Sequence, residues 1–233
     1  MKKAFLIFFR TIIISILFLL IAPIPAIIFF RWIDPPSSSY IIQHKISNMF
    51  SEKSCREIKQ TWTDIEKISP NLQMTVIASE DQKFSEHFGF DIESIEKALS
   101  NKRKRMRGAS TITQQTARNL FLWPGRSWIR KGAEAYITVL LELLWSKKRI
   151  LEVYLNIAQF DSCIYGAGAA SQFFFHKSAA RLSVYQSSLM AAVLPNPVRF
   201  KIEKPSNYIR GRTVHISFQI YQLGGKGYLK KIK

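Results

Sequence analysis

The sequence predicts a mainly α protein, a helical domain carried behind one membrane-spanning helix. Three observations predict it. Thr11–Phe30 runs for 20 residues without a charge. Apolar residues then recur at three- and four-residue spacing, and strand-like alternation is scarce. At 233 residues, 47% of them hydrophobic, the chain can fill one medium core and still supply a membrane segment.

In chain order, residues 1–10 read as a cytoplasmic N-terminus, because Lys2, Lys3 and Arg10 give the apolar run a basic flank against Arg31 and Asp34 beyond it. Residues 11–30 are the anchor: at about 1.5 Å per residue they cross a hydrocarbon core of about 30 Å. Pro23 and Pro25 kink this helix or mark where it leaves the hydrocarbon. A cleaved signal peptide fits less well, since its apolar part is usually about 7–15 residues and ends at small residues. Here Ile27, Ile28, Phe29 and Phe30 stand at that point. Residues 31–45, with the proline-containing break Asp34–Tyr40, read as a linker, and 46–225 as the domain. Helical spacing runs through Ile92, Ile95, Ala98 and Leu99, through Ile137, Leu140, Leu141 and Leu144, and through Ile150, Val153, Tyr154 and Ile157. Ser183 and Gln186 form a capping-box pattern for a helix that Pro195 ends. A last helix spans about Asn207–Leu223, closed by Gly224–Gly225, and 226–233 is a basic tail.

Net charge is +18, and residues 32–233 still carry +14, which implies an anionic partner: nucleic acid, anionic headgroups or a phosphorylated substrate. An outward-facing domain without zinc-finger spacing or another nucleic-acid motif argues against the first. The four histidines form no metal pattern. Cys55 and Cys163 are neither a zinc nor a redox pair, and their spacing says nothing of a disulfide, which an oxidising compartment would permit.

Four stretches can carry chemistry. In Glu80–Gly89 (EDQKFSEHFG) an apolar helix ends in adjacent carboxylates, where a desolvated one could act as a general base; alone, a solvated loop is the simpler reading. Gly108–Gln115 (GASTITQQ) leads small and hydroxyl residues into a helix start, which suits an anion or an ordinary cap at Ser110 or Thr111. It is not a phosphate-binding P-loop, lacking the Gly-Lys-Ser/Thr end. Arg130 and Glu134 share a helix face, which alone reads as a surface ion pair. Lys148–Asn156 (KRILEVYLN) is a basic helix start with an amphipathic body.

In this order, together with Leu194-Pro195-Asn196-Pro197, these stretches resemble the peptidoglycan glycosyltransferase family over roughly Asn71–Pro197. That family's patterns Glu-Asp-x-x-Phe-x-x-His-x-Gly, Gly-x-Ser-Thr-x-x-Gln-Gln, Arg-Lys-x-x-Glu and Ile-Leu-Glu-x-Tyr-Leu-Asn match residues 80–89, 108–115, 130–134 and 150–156. The chain departs from it at Gln159 and Asp161, where an acidic residue and a glycine are usual, and at Gln186, usually glutamate.

The resemblance implies a lysozyme-like helical fold on the bacterial inner membrane, with the domain in the periplasm and partners in a cell-wall synthesis complex. It implies Glu80 as the base acting on the acceptor sugar's 4-hydroxyl, and departure of a lipid pyrophosphate with inversion. Arg118, Arg126 and Lys131 would bind the pyrophosphate, Gln114 and Gln115 position substrate, and Ser110 and Thr111 add contacts. Glu134 would be the second essential carboxylate, orienting these cations or holding a divalent ion such as Mg or Mn. Lys102–Arg107 (KRKRMR) suits anionic headgroups, at about 1 kcal/mol per cation near the surface. The short chain looks like the monofunctional form: its one Ser-x-x-Lys, Ser94–Lys97, has no Lys-Thr-Gly partner for cross-linking. A lysozyme-like hydrolase would share the fold and a glutamate without needing the cation set.

Overall fold

The computed structural model describes residues 2–50, 55, 57–100 and 110–232. The basic run Lys102–Arg107 and the pair Gly108–Ala109 lie outside them.

The apolar N-terminus folds as α1 (Lys2–Ile21) and α2 (Pro23–Phe29). The helix starts nine residues before the uncharged run, since Lys2, Lys3 and the residues after them are themselves helix formers. Pro23 divides it: lacking an N–H, proline suits the first turn of a new helix. Leu6–Phe29 is long and apolar enough to cross a membrane. Its far end is bolted to the domain. Ile27 is fully buried, and its carbonyl accepts from Trp145 Nε1 at 2.7 Å. Arg149 donates to the carbonyls of Phe30 and Ile33, pairs with Asp34 and Glu152, and lies over the Trp62 ring. Residues 39–49 form a further helix, α3 (Ser39–Met49), capped by Ser38. It packs on α6 (Ile112–Phe121), where Ser39 Oγ donates to the Asn119 and Leu122 carbonyls.

The core centres on α4 (Pro70–Glu80), where Leu72, Met74, Thr75, Val76, Ile77 and Ala78 are all buried. A helix apolar on every side must be enclosed, and α4 packs on α10 (Val184–Val193) and α11 (Asn207–Gln222). The helical readings hold: α5 (Ile92–Ser100), α7 (Trp128–Leu144) and α8 (Lys147–Ile157) cover the periodic segments, and α6 packs on both α7 and α8. The Ser183–Gln186 capping box forms with both hydrogen bonds, so glutamine serves in place of the usual glutamate. Gly224, at φ 88°, ends α11 in the left-handed region. Beyond it Gly225–Lys231 forms a 3-10 helix whose Tyr228 is buried, its hydroxyl donating to Gln82 O and accepting from Ser85 N, both at 3.0 Å.

A small sheet accompanies the helices, ordered β1 (Lys59–Gln60), β3 (Ile164–Tyr165), β2 (Gln159–Asp161), with β1 parallel and β2 antiparallel to β3. A short helix, α9 (Ala167–Phe175), follows the sheet directly. Gly166 (φ 81°) makes that junction, and a Cβ there would stand 2.7 Å from Asn156 O. Cys55 and Cys163, 108 residues apart, form a disulfide that staples the segment before β1 to the β2–β3 turn. Closing so long a loop restricts the unfolded chain, so Cys163→Ser is expected to cost about 2–4 kcal/mol. Thermal melting should then fall by roughly 5–10 °C. An unchanged midpoint would show that the bond constrains nothing that folding needs.

Candidate active site

Glu80 is the last residue of α4. Its Oε2 accepts from Gln115 Nε2 at 3.0 Å, and its Oε1 lies 3.7 Å from the Arg212 guanidinium on α11. The side chain is 13% exposed. Burial raises its proton affinity above the ordinary carboxylate value, Asp81 adds to this, and Gln115, Arg212 and Arg118 oppose it. The carbonyl end of α4 pushes the same way as burial. A carboxylate so placed suits general-base work.

Its neighbour Asp81 faces the interior, with its side chain only 2% exposed. One oxygen accepts from Ile112 N at 2.9 Å and the other meets His87 Nε2 at 2.8 Å. It thus caps the start of α6 from another element. Thr111, the N-cap, shares a capping box with Gln114 and donates to Gly89 O at 2.7 Å. Gly89 has φ 78°, and a Cβ there would stand 2.7 Å from Thr138 Cγ2 on α7. Thr113 Oγ1 donates to Glu142 (2.6 Å), which pairs with Lys147, and Lys147 donates to His87 O, both at 2.7 Å. Most of the first two motifs is therefore a clamp fixing the first turn of α6 against α4 and α7. Gln114, a substrate-positioning residue by sequence, has its side-chain oxygen committed to this clamp.

The clamp aims Gln115 at Glu80. Half-buried Ser110 places its carbonyl 3.5 Å from Gln115 Nε2, and Arg118 lies close enough to act on the Glu80 charge. Two residues that sequence reasoning passed over complete the group. Tyr154 of α8 donates to Gln115 Oε1 at 3.3 Å, and Arg212 approaches from α11. Tyr154 had read as core. Arg212 could have been found from its place beside the buried Ile209, Thr213 and Ile216, where a cation needs a reason.

The second group starts α7. Ser127 caps the helix, and Glu134 takes Arg130 on one oxygen at 2.9 Å and Lys131 on the other. The surface ion pair expected from sequence is instead buried, with Arg130 at 8% and Glu134 at 1% exposure. The reason is that Arg130, Glu134, Ile137, Thr138 and Leu141 make one stripe of α7, its packed side. With a cation on each oxygen, Glu134 is arranged to orient Arg130 and Lys131. The described residues bring no three His, Cys, Asp or Glu together as metal ligands. Arg126 lies exposed on the loop between α6 and α7, making no hydrogen bond or ion pair among the described residues. The structure thus gathers Glu80, Gln115, Arg118 and Ser110 in one group and Lys131 with Glu134 in another, with no direct contact described between them.

A family model described as Transglycosylase matches residues 45–220, which include both groups. The chain belongs to the transglycosylase family. It is 49% identical over 219 residues to a biosynthetic peptidoglycan transglycosylase of Shewanella oneidensis, covering 93% of this chain and 92% of the relative. It is 50% identical to proteins of the same name from Shigella sonnei (199 residues, 84% and 82% coverage) and Haemophilus influenzae (201 residues, 85% and 82%). Gln159 and Asp161 sit on the β2–β3 hairpin. Gln159 bonds Ser162 O and Asp161 pairs with Lys201, so neither contact reaches Glu80.

Proposed function

We propose that this transglycosylase polymerises peptidoglycan glycan strands, moving the growing lipid-pyrophosphate-linked chain onto the 4-hydroxyl of a lipid-linked disaccharide-pentapeptide. Glu80 takes the hydroxyl proton as the oxygen attacks the anomeric carbon. The bond from that carbon to the pyrophosphate oxygen breaks, its electron pair leaves with polyprenyl pyrophosphate, and the centre inverts. Arg118, Arg126 and Lys131 neutralise the departing charge, with Glu134 holding Lys131 in place. The observation that carries this reading is a largely buried carboxylate of raised proton affinity, hydrogen-bonded to Gln115, with cations beside it.

The chain is proposed to sit in the inner membrane, N-terminus cytoplasmic and domain periplasmic, as part of cell-wall biogenesis and a cell-wall synthesis complex. The basic N-terminal flank and the Cys55–Cys163 bond support that side, since disulfides persist in oxidising compartments. The proposal is polymerisation without cross-linking. Ser94 Oγ is hydrogen-bonded to Asp91 and Lys97 pairs with Glu93, so they do not make an activated nucleophile and base.

Purified protein in detergent, given labelled lipid-linked disaccharide-pentapeptide, should yield polymer that a muramidase digests. Shortening of preformed glycan without polymer would favour a hydrolase. Arg118→Ala is expected to lower kcat/KM by about 10- to 100-fold with an unchanged melting temperature. Unaltered kinetics would remove Arg118 from the pyrophosphate contacts.

A further inference from the structure

The Gln115 side chain is an amide with a donor end and an acceptor end, and only one of its two orientations helps a base. With Nε2 toward Glu80 it donates to the carboxylate. Flipped, it would set an oxygen against the ionised carboxylate and could only accept from a protonated one. Two groups decide between these orientations. The Ser110 carbonyl, 3.5 Å from Nε2, can only accept. The Tyr154 hydroxyl, 3.3 Å from Oε1, fills the other side of the amide. Tyr154 is 2% exposed, and burial and the Glu80 charge raise its proton affinity well above the ordinary phenol value. It therefore stays protonated, and with Nε2 held by the acceptor-only Ser110 carbonyl its O–H donates to Oε1.

We infer that Tyr154 is a positioning residue for the transfer reaction: its phenol holds the Gln115 amide with the N–H toward Glu80, keeping that carboxylate free of its proton. The inference rests on Glu80 being the base. The charged groups acting on Glu80 among the described residues come into the account: Asp81 just after α4, Arg118 from α6, and Arg212 from α11. Tyr154 itself feels Glu80, Arg118 and Asp81. None of these is changed by removing the phenol oxygen, so Tyr154→Phe isolates the amide's orientation while keeping the ring that α8 packs.

Losing the hydrogen bond that orients Gln115 weakens the donor on ionised Glu80. The acidic limb of kcat/KM against pH should then move up by about half to one pH unit. An isotope-edited infrared titration, taken as wild type minus Glu80→Gln, reads the carboxyl without substrate and should show the same upward move in Tyr154→Phe. A folded Tyr154→Phe with an unmoved limb and an unmoved carboxyl titration would reduce Tyr154 to packing and overturn the inference. If Glu80→Gln kept polymerising, the base assignment would fall. The infrared shift would still report whether Tyr154 acts on Glu80 through Gln115.

Discussion

Glu80→Gln is expected to lower polymerisation by about three orders of magnitude or more, which is the scale of a lost general base, while melting at or above the wild-type temperature. The amide keeps the side chain's shape and can still accept from Gln115. What it removes is the carboxylate that, among the described residues of its cluster, can take the acceptor's proton. The stability half follows from the raised proton affinity of Glu80. Between the unfolded-state pKa, near 4.5, and the higher folded-state value, the folded protein binds the proton more tightly. The stability held by protonated Glu80 is full below that window and is lost as pH rises through it. At neutral pH the wild type bears this cost and the glutamine variant does not, so the difference in melting temperature should narrow as pH falls toward 4.5. Melting curves and initial rates on the same preparations test both halves. A variant that is inactive because it melts early would make Glu80 structural, and one that polymerises near the normal rate would need another base.

Signals that act over a few residues were legible in the sequence. The helices of the domain follow from three- and four-residue spacing. Thr111 was one of two candidate caps, and Ser183–Gln186 declared itself through its own pattern. Strands of two or three residues are too short to show alternation, so the sheet was silent. The Cys55–Cys163 bond joins residues 108 apart, which only the finished fold brings together. Arg130 and Glu134 looked exposed because periodicity says which residues share a face, not that the face is packed. The site divided the same way. Glu80 and Gln115 came from motifs, whereas Arg212 arrives from α11, far along the chain, and Tyr154 serves by one hydroxyl on an otherwise ordinary core ring.

Adjacent carboxylates are the hardest case for a sequence to sort, and Asp81 should separate from Glu80 by failing in the opposite way. Asp81→Ala is expected to cost about 3–5 kcal/mol, because it strips acceptors from two donors at once. The Ile112 N–H has no helical partner of its own at the first turn of α6, and Asp81 Oδ2 supplies one. His87 loses the contact on Nε2, while its Nδ1 is already buried and without a partner among the described residues. The Ile112 N–H cannot turn to water, since that residue is fully buried. Melting should fall by roughly 10 °C. Turnover measured below the new midpoint should also drop, since the Ser110–Gln115 segment loses the acceptor that fixes it beneath Glu80. Asp81→Asn keeps an oxygen for Ile112 and can offer its amide to a neutral His87, so about 1–2 kcal/mol should suffice for it. A clear ranking, alanine well below asparagine and asparagine just below wild type, is what a capping carboxylate produces. An Asp81→Ala protein that melts like wild type yet does not polymerise would instead put Asp81 in the chemistry and reopen the division of labour between the two acids.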